Sequence, residues 1–196
     1  TYAVGAAIAA KFLAAHTGNP TFNKETIYTY ISDGGIQEEI SLGAARIAGK
    51  LELDNLIMFY DANEIQLSTE TGDVMNEDTG AKYRAMGWEV FEIDGNDVAQ
   101  IRTAIEAAQK VVGKPTLIIG RCIMGKGALK ADGSSYERSC KTHGAPLGGD
   151  AYVNAVKNLG GDPENPFVIF DDVKEIYTKR AAELEGEFAE LGGWDA

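Results

Sequence analysis

The sequence is poor in cysteine, in basic residues and in long apolar runs, and each shortage excludes a class of protein. Its 196 residues include only two cysteines, Cys122 and Cys140, and no Cys-x-x-Cys pair. This pattern indicates neither a zinc site nor a disulfide framework, and it is typical of a reducing compartment such as the cytoplasm. Lysine and arginine number 18 against 30 aspartate and glutamate residues, so the net charge is −12. Nucleic acid is therefore not an expected partner, because a phosphate backbone needs a basic surface.

The sequence also lacks the signals for membrane insertion and for secretion. No apolar run approaches the roughly 20 residues that a membrane-spanning helix needs. No basic segment followed by an apolar one marks a signal peptide. We therefore expect no membrane partner and a cytoplasmic location. The chain begins at Thr1, within a segment of helical periodicity, and we expect it to be part of a longer protein.

The apolar periodicity that is present predicts an alternation of strands and helices. Short apolar runs predict strands over 27–31, 56–60, 88–93 and 116–122. Helical spacing predicts helices over 1–15, 37–50, 78–86, 98–112, 150–159 and 171–191. This order predicts the α/β class, as a doubly wound parallel sheet with right-handed crossovers. The segments 64–80 and 125–149 have little periodicity and are predicted to be loops.

The same spacing predicts which helix faces are buried. In the first helix the expected core residues are the large apolar ones, and His16 is expected to be a cation at the carboxyl end of that helix. The residues expected in the core are Val4, Ile8, Phe12 and Leu13 of the first helix, and Ile40, Ala44, Ile47, Ala48 and Leu51 of the second.

The most informative stretch is Ile27–Leu67, in which two strands each end in a polar turn. Ser32-Asp33-Gly34-Gly35 follows the first strand, and Asp61-Ala62-Asn63-Glu64-Ile65 follows the second. The carboxyl ends of parallel strands meet at one edge of a sheet, where α/β proteins bind ligands. A carboxylate, an amide oxygen and exposed backbone carbonyls suit Mg²⁺, which takes few protein ligands together with phosphate oxygens.

Taken one at a time, these residues also have simpler interpretations. Asp33 and Asn63 are each common in turns and helix caps. Glu38 has the position of a carboxylate that stabilises the first turn of a helix. His143 lies in a glycine-rich stretch and, from the sequence alone, is an ordinary loop histidine.

Longer motifs carry a resemblance to the transketolase family. Asp33-Gly34 followed by Asn63, with 28 residues between Gly34 and Asn63, is similar to the thiamine diphosphate signature. DGGIQEEIS resembles the family's DGxxxEGxS, and LIMFYDANEI resembles LIxFYDxNxI. KYRAMGWEVFEIDGND, KPTLIIGRCIMGKG and HGAPLG also match family segments, in the expected order along nearly the whole chain.

The resemblance implies a thiamine-diphosphate-binding fold and a set of metal and cofactor ligands. Asp33 and Asn63 would bind Mg²⁺, or Ca²⁺ as a substitute, through side-chain oxygens, and Ile65 would bind it through its backbone carbonyl. Gly34 would donate its backbone N–H to the diphosphate, and Ser32 stands where the family has the first glycine of GDG.

Further roles are implied outside the metal site. His143 would contact the diphosphate and the donor sugar near the reacting carbon. Met124 corresponds to an apolar family residue near the cofactor. Glu38 would belong to an acidic network that links two active sites across a dimer.

For the whole protein, the resemblance implies transfer of a two-carbon ketol unit between sugar phosphates. Residues 1–160 would form part of the diphosphate-binding domain. Residues 161–196 would form a C-terminal helix and the start of a linker to a pyrimidine-binding domain that this chain lacks. The partner would be a second copy of the full-length protein or a separate chain that carries that domain. We expect the 196 residues alone to be inactive.

Four departures from the family pattern keep alternatives open. Glu39 and Glu64 add negative charge beside the expected diphosphate site, and Ser32 and Lys126 replace a glycine and an aromatic residue. One alternative is the N-terminal subunit of a split transketolase. Another is a non-catalytic binding module with an eroded cofactor site.

Overall fold

The computed structural model describes residues 1–18 and 25–190. Three sequence-based expectations fall partly or wholly outside these residues. The residues His16 to Pro20 have the composition of a helix end, and Asn19 and Pro20 lie outside. So do most of the polar loop expected over 21–26 and the expected end of the last helix at Leu191. The strands are β1 (Ile27–Ser32), β2 (Leu56–Ala62), β3 (Glu89–Asp94) and β4 (Thr116–Arg121). The helices are α1 (Tyr2–Thr17), α2 (Asp33–Gln37), α3 (Glu39–Lys50), α4 (Thr79–Ala85), α5 (Val98–Ala108), α6 (Gly149–Asn158) and α7 (Asp171–Glu190).

The four strands of the described residues are parallel, in the order β1-β2-β4-β3, which confirms the predicted α/β fold. The central strands β2 and β4 are apolar and largely buried along their length, as expected for strands covered on both faces. The edge strand β1 alternates between half-buried and exposed residues. The register pairs Ser32 with Asp61 and Asp61 with Gly120, so three strands end together at one edge of the sheet.

Helices cover both faces of the sheet. On one face α1, α3 and α4 pack against a large apolar cluster that includes Leu56, Tyr83 and Leu117. The indole of Trp88 donates a hydrogen bond of 2.9 Å to the carbonyl of Ala45 and so ties the start of β3 to α3. On the other face α5 packs Ala104 and Ala108 against the sheet. This two-sided packing agrees with the predicted doubly wound arrangement.

The predicted buried face of α1 is wrong. Ala7, Ala10 and Ala14 are buried, whereas Phe12 is 62% exposed and both Ile8 and Leu13 are also exposed. Of the four predicted core residues only Val4 packs against the core, and it is half-buried. The helix approaches β1 and α3 closely through its small residues, which leaves no room for the larger side chains on that side.

The second predicted helix is divided, and its buried face also differs from the prediction. Residues 33–37 form the short helix α2, and α3 begins at Glu39 with Glu38 as its N-cap. Ala44 and Ala48 are buried as predicted, whereas Ile40, Ile47 and Leu51 are at least half exposed. Leu42 and Ala45 take their place in the core.

The two long loops carry little regular structure, in line with the prediction. A 3₁₀ turn spans Thr71–Asp73 in the first loop, and another spans Cys140–Thr142 in the second. Isolated bridges join Ile65 to Glu70 and Leu129 to Ser135. Within the described ranges, no helix combines the length and the apolar composition needed to cross a membrane.

Candidate functional site at the carboxyl edge of the sheet

The carboxyl ends of β1 and β2 bring the two predicted polar turns into direct contact. Asp33 begins α2 immediately after β1, and Asn63 follows the last residue of β2. The backbone N–H of Asn63 donates a hydrogen bond of 3.1 Å to Asp33 Oδ2. The two residues therefore lie close together, as predicted. The hydrogen bond that joins them runs from the backbone of Asn63 to the side chain of Asp33.

Asp33 is a buried carboxylate held by three donors. Only 2% of its surface is exposed. Its Oδ2 accepts from the backbone N–H groups of Asn63 and Glu64, each at 3.1 Å. Its Oδ1 accepts from the hydroxyl of Tyr60 at 2.6 Å. A carboxylate has about four acceptor positions, so one remains for a cation.

The turn after β2 presents two further oxygen atoms. The side-chain oxygen of Asn63 accepts a hydrogen bond of 3.0 Å from the backbone N–H of Ile65, which fixes the turn. Among the described residues, no group donates to the carbonyl oxygen of Ile65. One carboxylate, one amide oxygen and one free carbonyl form a hard oxygen donor set, which fits Mg²⁺ or Ca²⁺.

Tyr60 is a site residue that the sequence analysis did not single out. It lies in β2 and is 4% exposed. Burial, followed by the hydrogen bond to Asp33, raises the pKa of Tyr60 far above its usual range. The phenol therefore stays protonated and remains a donor to the carboxylate. This role was not identified from the sequence because Tyr60 lies in an apolar strand and also packs in the core.

A second set of polar side chains, centred on Asp61, lies beside the Asp33 hydrogen bonds at the same edge of the sheet. Asp61 Oδ2 accepts a hydrogen bond of 2.9 Å from the Tyr30 hydroxyl. Asp61 Oδ1 is buried and has no hydrogen-bond partner within the described part of the chain. Partial burial and the Asp61 hydrogen bond raise the pKa of Tyr30 to about 12. Burial and the same carboxylate raise the pKa of Cys122 to about 12, so this thiol is protonated at neutral pH.

The other predicted site residues lie outside this hydrogen-bonded cluster. Ser32 ends β1 with an ordinary extended backbone (φ −105°), so its side chain is tolerated there without strain. Gly34 is exposed within α2. Glu38 is exposed, and its side chain makes no hydrogen bond or ion pair with a described residue.

Met124 and His143 belong to the long loop that follows β4. Met124 is half-buried, and its carbonyl accepts a hydrogen bond from the backbone N–H of Arg138 at 2.9 Å. His143 is exposed and ends the 3₁₀ turn. No hydrogen bond links either residue to Asp33 or Asn63 among the described residues.

Two clefts open at this edge of the sheet and share the lining residues Ala62, Glu64, Glu92 and Arg121. The first, here called the Asp33 cleft, has a volume of about 490 Å³. The second, the Lys126 cleft, has a volume of about 670 Å³. The charged residues that line the Asp33 cleft are Asp33, Glu64, Glu70, Glu77, Asp78, Glu92 and Arg121. Those that line the Lys126 cleft are Glu64, Glu92, Asp94, Arg121, Lys126 and Arg138.

This fold and this edge define a parallel α/β domain that presents a ligand site at the carboxyl ends of its strands. The comparison with known families makes the assignment specific. Residues 1–195 match the family model described as "Transketolase, thiamine diphosphate binding domain". The chain therefore belongs to the transketolase family, through its thiamine diphosphate-binding domain.

Curated relatives support the same assignment. The chain is 35% identical to Transketolase 2 of Xanthobacter flavus, an alignment that covers 99% of this chain and 27% of that protein. It is 39% identical to Transketolase 1 of Saccharomyces cerevisiae, over 90% of this chain and 26% of that protein. It is also 36% identical to Dihydroxyacetone synthase of Pichia angusta, over 95% of this chain and 26% of that protein.

Solved structures share the fold. A transketolase from Pichia stipitis in complex with sedoheptulose-7-phosphate superposes with a TM-score of 0.86 at 33% identity and covers 96% of this chain and 28% of that one. The transketolase of Campylobacter jejuni gives a TM-score of 0.79 at 37% identity, over 89% of this chain and 27% of that one. The chain thus spans about a quarter of the length of its relatives.

Proposed function

We propose that this chain supplies the diphosphate- and metal-binding part of a transketolase that transfers a two-carbon ketol unit between sugar phosphates. Family membership across residues 1–195 supports the assignment. The main structural support for the proposal is the buried Asp33 carboxylate. It is hydrogen-bonded to the turn after β2 and keeps one acceptor position free. A relative's structure with sedoheptulose-7-phosphate supports a sugar phosphate as substrate.

In this proposal three oxygen donors hold Mg²⁺, for which Ca²⁺ is a substitute. They are the free acceptor position of Asp33, the side-chain oxygen of Asn63 and the backbone carbonyl of Ile65. Mg²⁺ keeps several non-protein ligands, so diphosphate oxygens and water would supply the others. Asn63 would turn its amide oxygen from the Ile65 N–H toward the cation, or share it between the two.

The remaining site residues orient the ligand. Gly34 lies in α2, just after the end of β1, and would donate its backbone N–H to the diphosphate. Ser32 has an extended backbone and connects β1 to α2 as the N-cap of that helix. When bound, thiamine diphosphate supplies the carbanion chemistry of ketol transfer. His143 and Met124 lie on the loop after β4, from which we propose that they contact the diphosphate and donor sugar and the cofactor, respectively.

The whole protein would need a second domain to complete the site. We propose that it acts as a cytoplasmic homodimer, or together with a separate chain that carries the pyrimidine-binding domain. Glu38 is an exposed, unpaired carboxylate in the described structure, which leaves it available for the proposed acidic network between two active sites.

A calorimetric titration of the complete protein with thiamine diphosphate tests the proposal, in the presence and absence of Mg²⁺. We expect saturable, Mg²⁺-dependent binding that Asp33→Ala or Asn63→Ala abolishes, because each removes a cation ligand. Asp97→Asn is the control, since Asp97 caps α5 after β3, near the same edge of the sheet, and asparagine preserves an N-cap. Unchanged cofactor affinity in Asp33→Ala would rule out the metal assignment.

A non-catalytic module with an eroded site is the second candidate, and the acidity of the Asp33 cleft favours it. Five glutamate and aspartate side chains besides Asp33 line this cleft, against one arginine. Such a surface repels a free diphosphate. The same titration separates the two candidates, because an eroded module shows no saturable binding even with Mg²⁺.

A further inference from the structure

Glu64 has a backbone conformation that favours glycine. Its φ is +67°, and only two other non-glycine residues in the described ranges, Glu52 and Arg138, have a positive φ. Such a conformation is strained for a non-glycine residue, because its Cβ approaches the backbone too closely. The turn demands it, because the Glu64 N–H donates to Asp33 Oδ2 at 3.1 Å and its carbonyl accepts from Thr71 N–H at 2.9 Å.

The side chain of Glu64 does not compensate for this strain by a polar interaction within the described structure. It is exposed and makes no hydrogen bond or ion pair with a described residue. It instead lies on the wall shared by the Asp33 cleft and the Lys126 cleft. An unpaired carboxylate thus stands one residue from Asn63, and Glu64 is one of the four residues that line both clefts.

We propose that Glu64 is a specificity-determining residue that increases the dependence of cofactor binding on a divalent cation. This inference rests on the proposed function. The Glu64 carboxylate adds negative charge beside Asp33, which attracts a cation and repels a free diphosphate. Glu64 therefore widens the difference in affinity between the cation complex of the diphosphate and the free diphosphate. The affinity of oxygen sites for divalent cations rises with the number of carboxylates, which gives the effect its direction.

The test compares thiamine diphosphate affinity in Mg²⁺ with that in EDTA, by calorimetry on the complete protein. The dissociation constant in EDTA divided by that in Mg²⁺ measures the cation dependence of cofactor binding. Glu64→Gln removes the charge and keeps the size, so we expect this ratio to fall by about tenfold, which corresponds to the loss of one strong charge interaction. Glu52→Gln is the matched control: Glu52 is also an exposed glutamate with a positive φ (+53°), but it lies before β2, at the opposite edge of the sheet. Its ratio should equal that of the wild type.

Glycine variants separate charge from backbone strain. Glu64→Gly and Glu52→Gly both relieve a left-handed conformation, so both should raise the free energy of unfolding by similar amounts. Only Glu64→Gly should also lower the cation dependence. A ratio in Glu64→Gln equal to that of the wild type, or an equal fall in Glu52→Gln, overturns the inference.

A direct cation titration distinguishes failure of this inference from failure of the proposed function. Binding of Mn²⁺ alone, followed by electron paramagnetic resonance, should weaken in Glu64→Gln and stay unchanged in Glu52→Gln. A wild type that binds Mn²⁺ in this way but not thiamine diphosphate contradicts the proposed function and leaves Glu64 as a cation-attracting residue. Equal Mn²⁺ affinity in wild type and Glu64→Gln contradicts the role of Glu64.

Discussion

The hydroxyl of Tyr60 donates a hydrogen bond of 2.6 Å to Oδ1 of Asp33, and both residues are buried. Two backbone N–H groups occupy the other oxygen of the same carboxylate. The three donors leave the carboxylate little freedom to rotate. They also determine which acceptor position remains open, so Tyr60 is a positioning residue for the proposed cation ligand.

We predict that Tyr60→Phe weakens cation-dependent cofactor binding. The change leaves the packing of the ring intact and removes one donor, so Asp33 Oδ1 stays buried without its partner. Loss of a hydrogen bond to a charged group lowers the free energy of unfolding by about 1.5–3 kcal/mol. Urea denaturation should show this loss, and calorimetry should show a weaker affinity for Mg²⁺ together with thiamine diphosphate.

Tyr83→Phe is the control for that experiment. Tyr83 is fully buried, and its hydroxyl has no hydrogen-bond partner in the described structure. Removing an unpaired buried hydroxyl should leave stability unchanged or raise it, and cofactor affinity should not change. Equal effects of the two substitutions would show that Tyr60 does not act through its bond to Asp33.

The pH dependence of stability should carry a signature of Tyr83. Burial raises the pKa of Tyr83 from its ordinary value of 10.0 to about 12. Between these two values the unfolded chain releases a proton that the folded chain keeps, so the stability contributed by this group is present below pH 10 and is lost as the pH rises to 12. The loss is about 1.4 kcal/mol per pH unit in this range.

Urea denaturation of the wild type and of Tyr83→Phe, at a series of pH values between 8 and 12, measures this contribution. The variant should lose stability less steeply with rising pH, because phenylalanine does not ionise. The two curves should run parallel below pH 10. Parallel curves across the whole range would show that Tyr83 ionises equally easily in both states.

Two glycines of α3 should respond in opposite ways to the same substitution. A Cβ at Gly49 would lie 1.8 Å from the carbonyl oxygen of Met86, whereas a Cβ at Gly43 has nothing within 4 Å. Gly49→Ala therefore forces α3 away from the segment that leads into β3, and overpacking of this kind costs about 1–3 kcal/mol or more. Gly43→Ala should stabilise the helix by about 0.5–1 kcal/mol.

Thermal denaturation of both variants, followed by circular dichroism, measures this difference. A lower melting temperature for Gly49→Ala and a higher one for Gly43→Ala is the expected result. If both rise, the contact between α3 and Met86 is looser than the structure shows.

Local patterns in the sequence were sufficient to predict the framework. The apolar runs of β2 and β4 are continuous because both faces of those strands are covered. A continuous apolar run in the sequence therefore predicts a central strand directly. The meeting of Asp33 and Asn63 was predictable for a related reason, since parallel strands bring their carboxyl ends to one edge. Helix faces were less predictable. Phe12 and Ile47 have the spacing of core residues, yet alanines on the same helices make the contacts.

The sequence by itself therefore determined the fold class, the order of the strands and helices, the family, and the two turns from which the site is built. Tertiary structure alone decided how the site is held together. Three features depend on distances between separate strands and loops: the hydrogen bond from Tyr60 to Asp33, the left-handed backbone of Glu64, and the place of Glu64 in the lining of two clefts. No local pattern encodes such distances, because they follow from how the strands pair and how the helices pack against them.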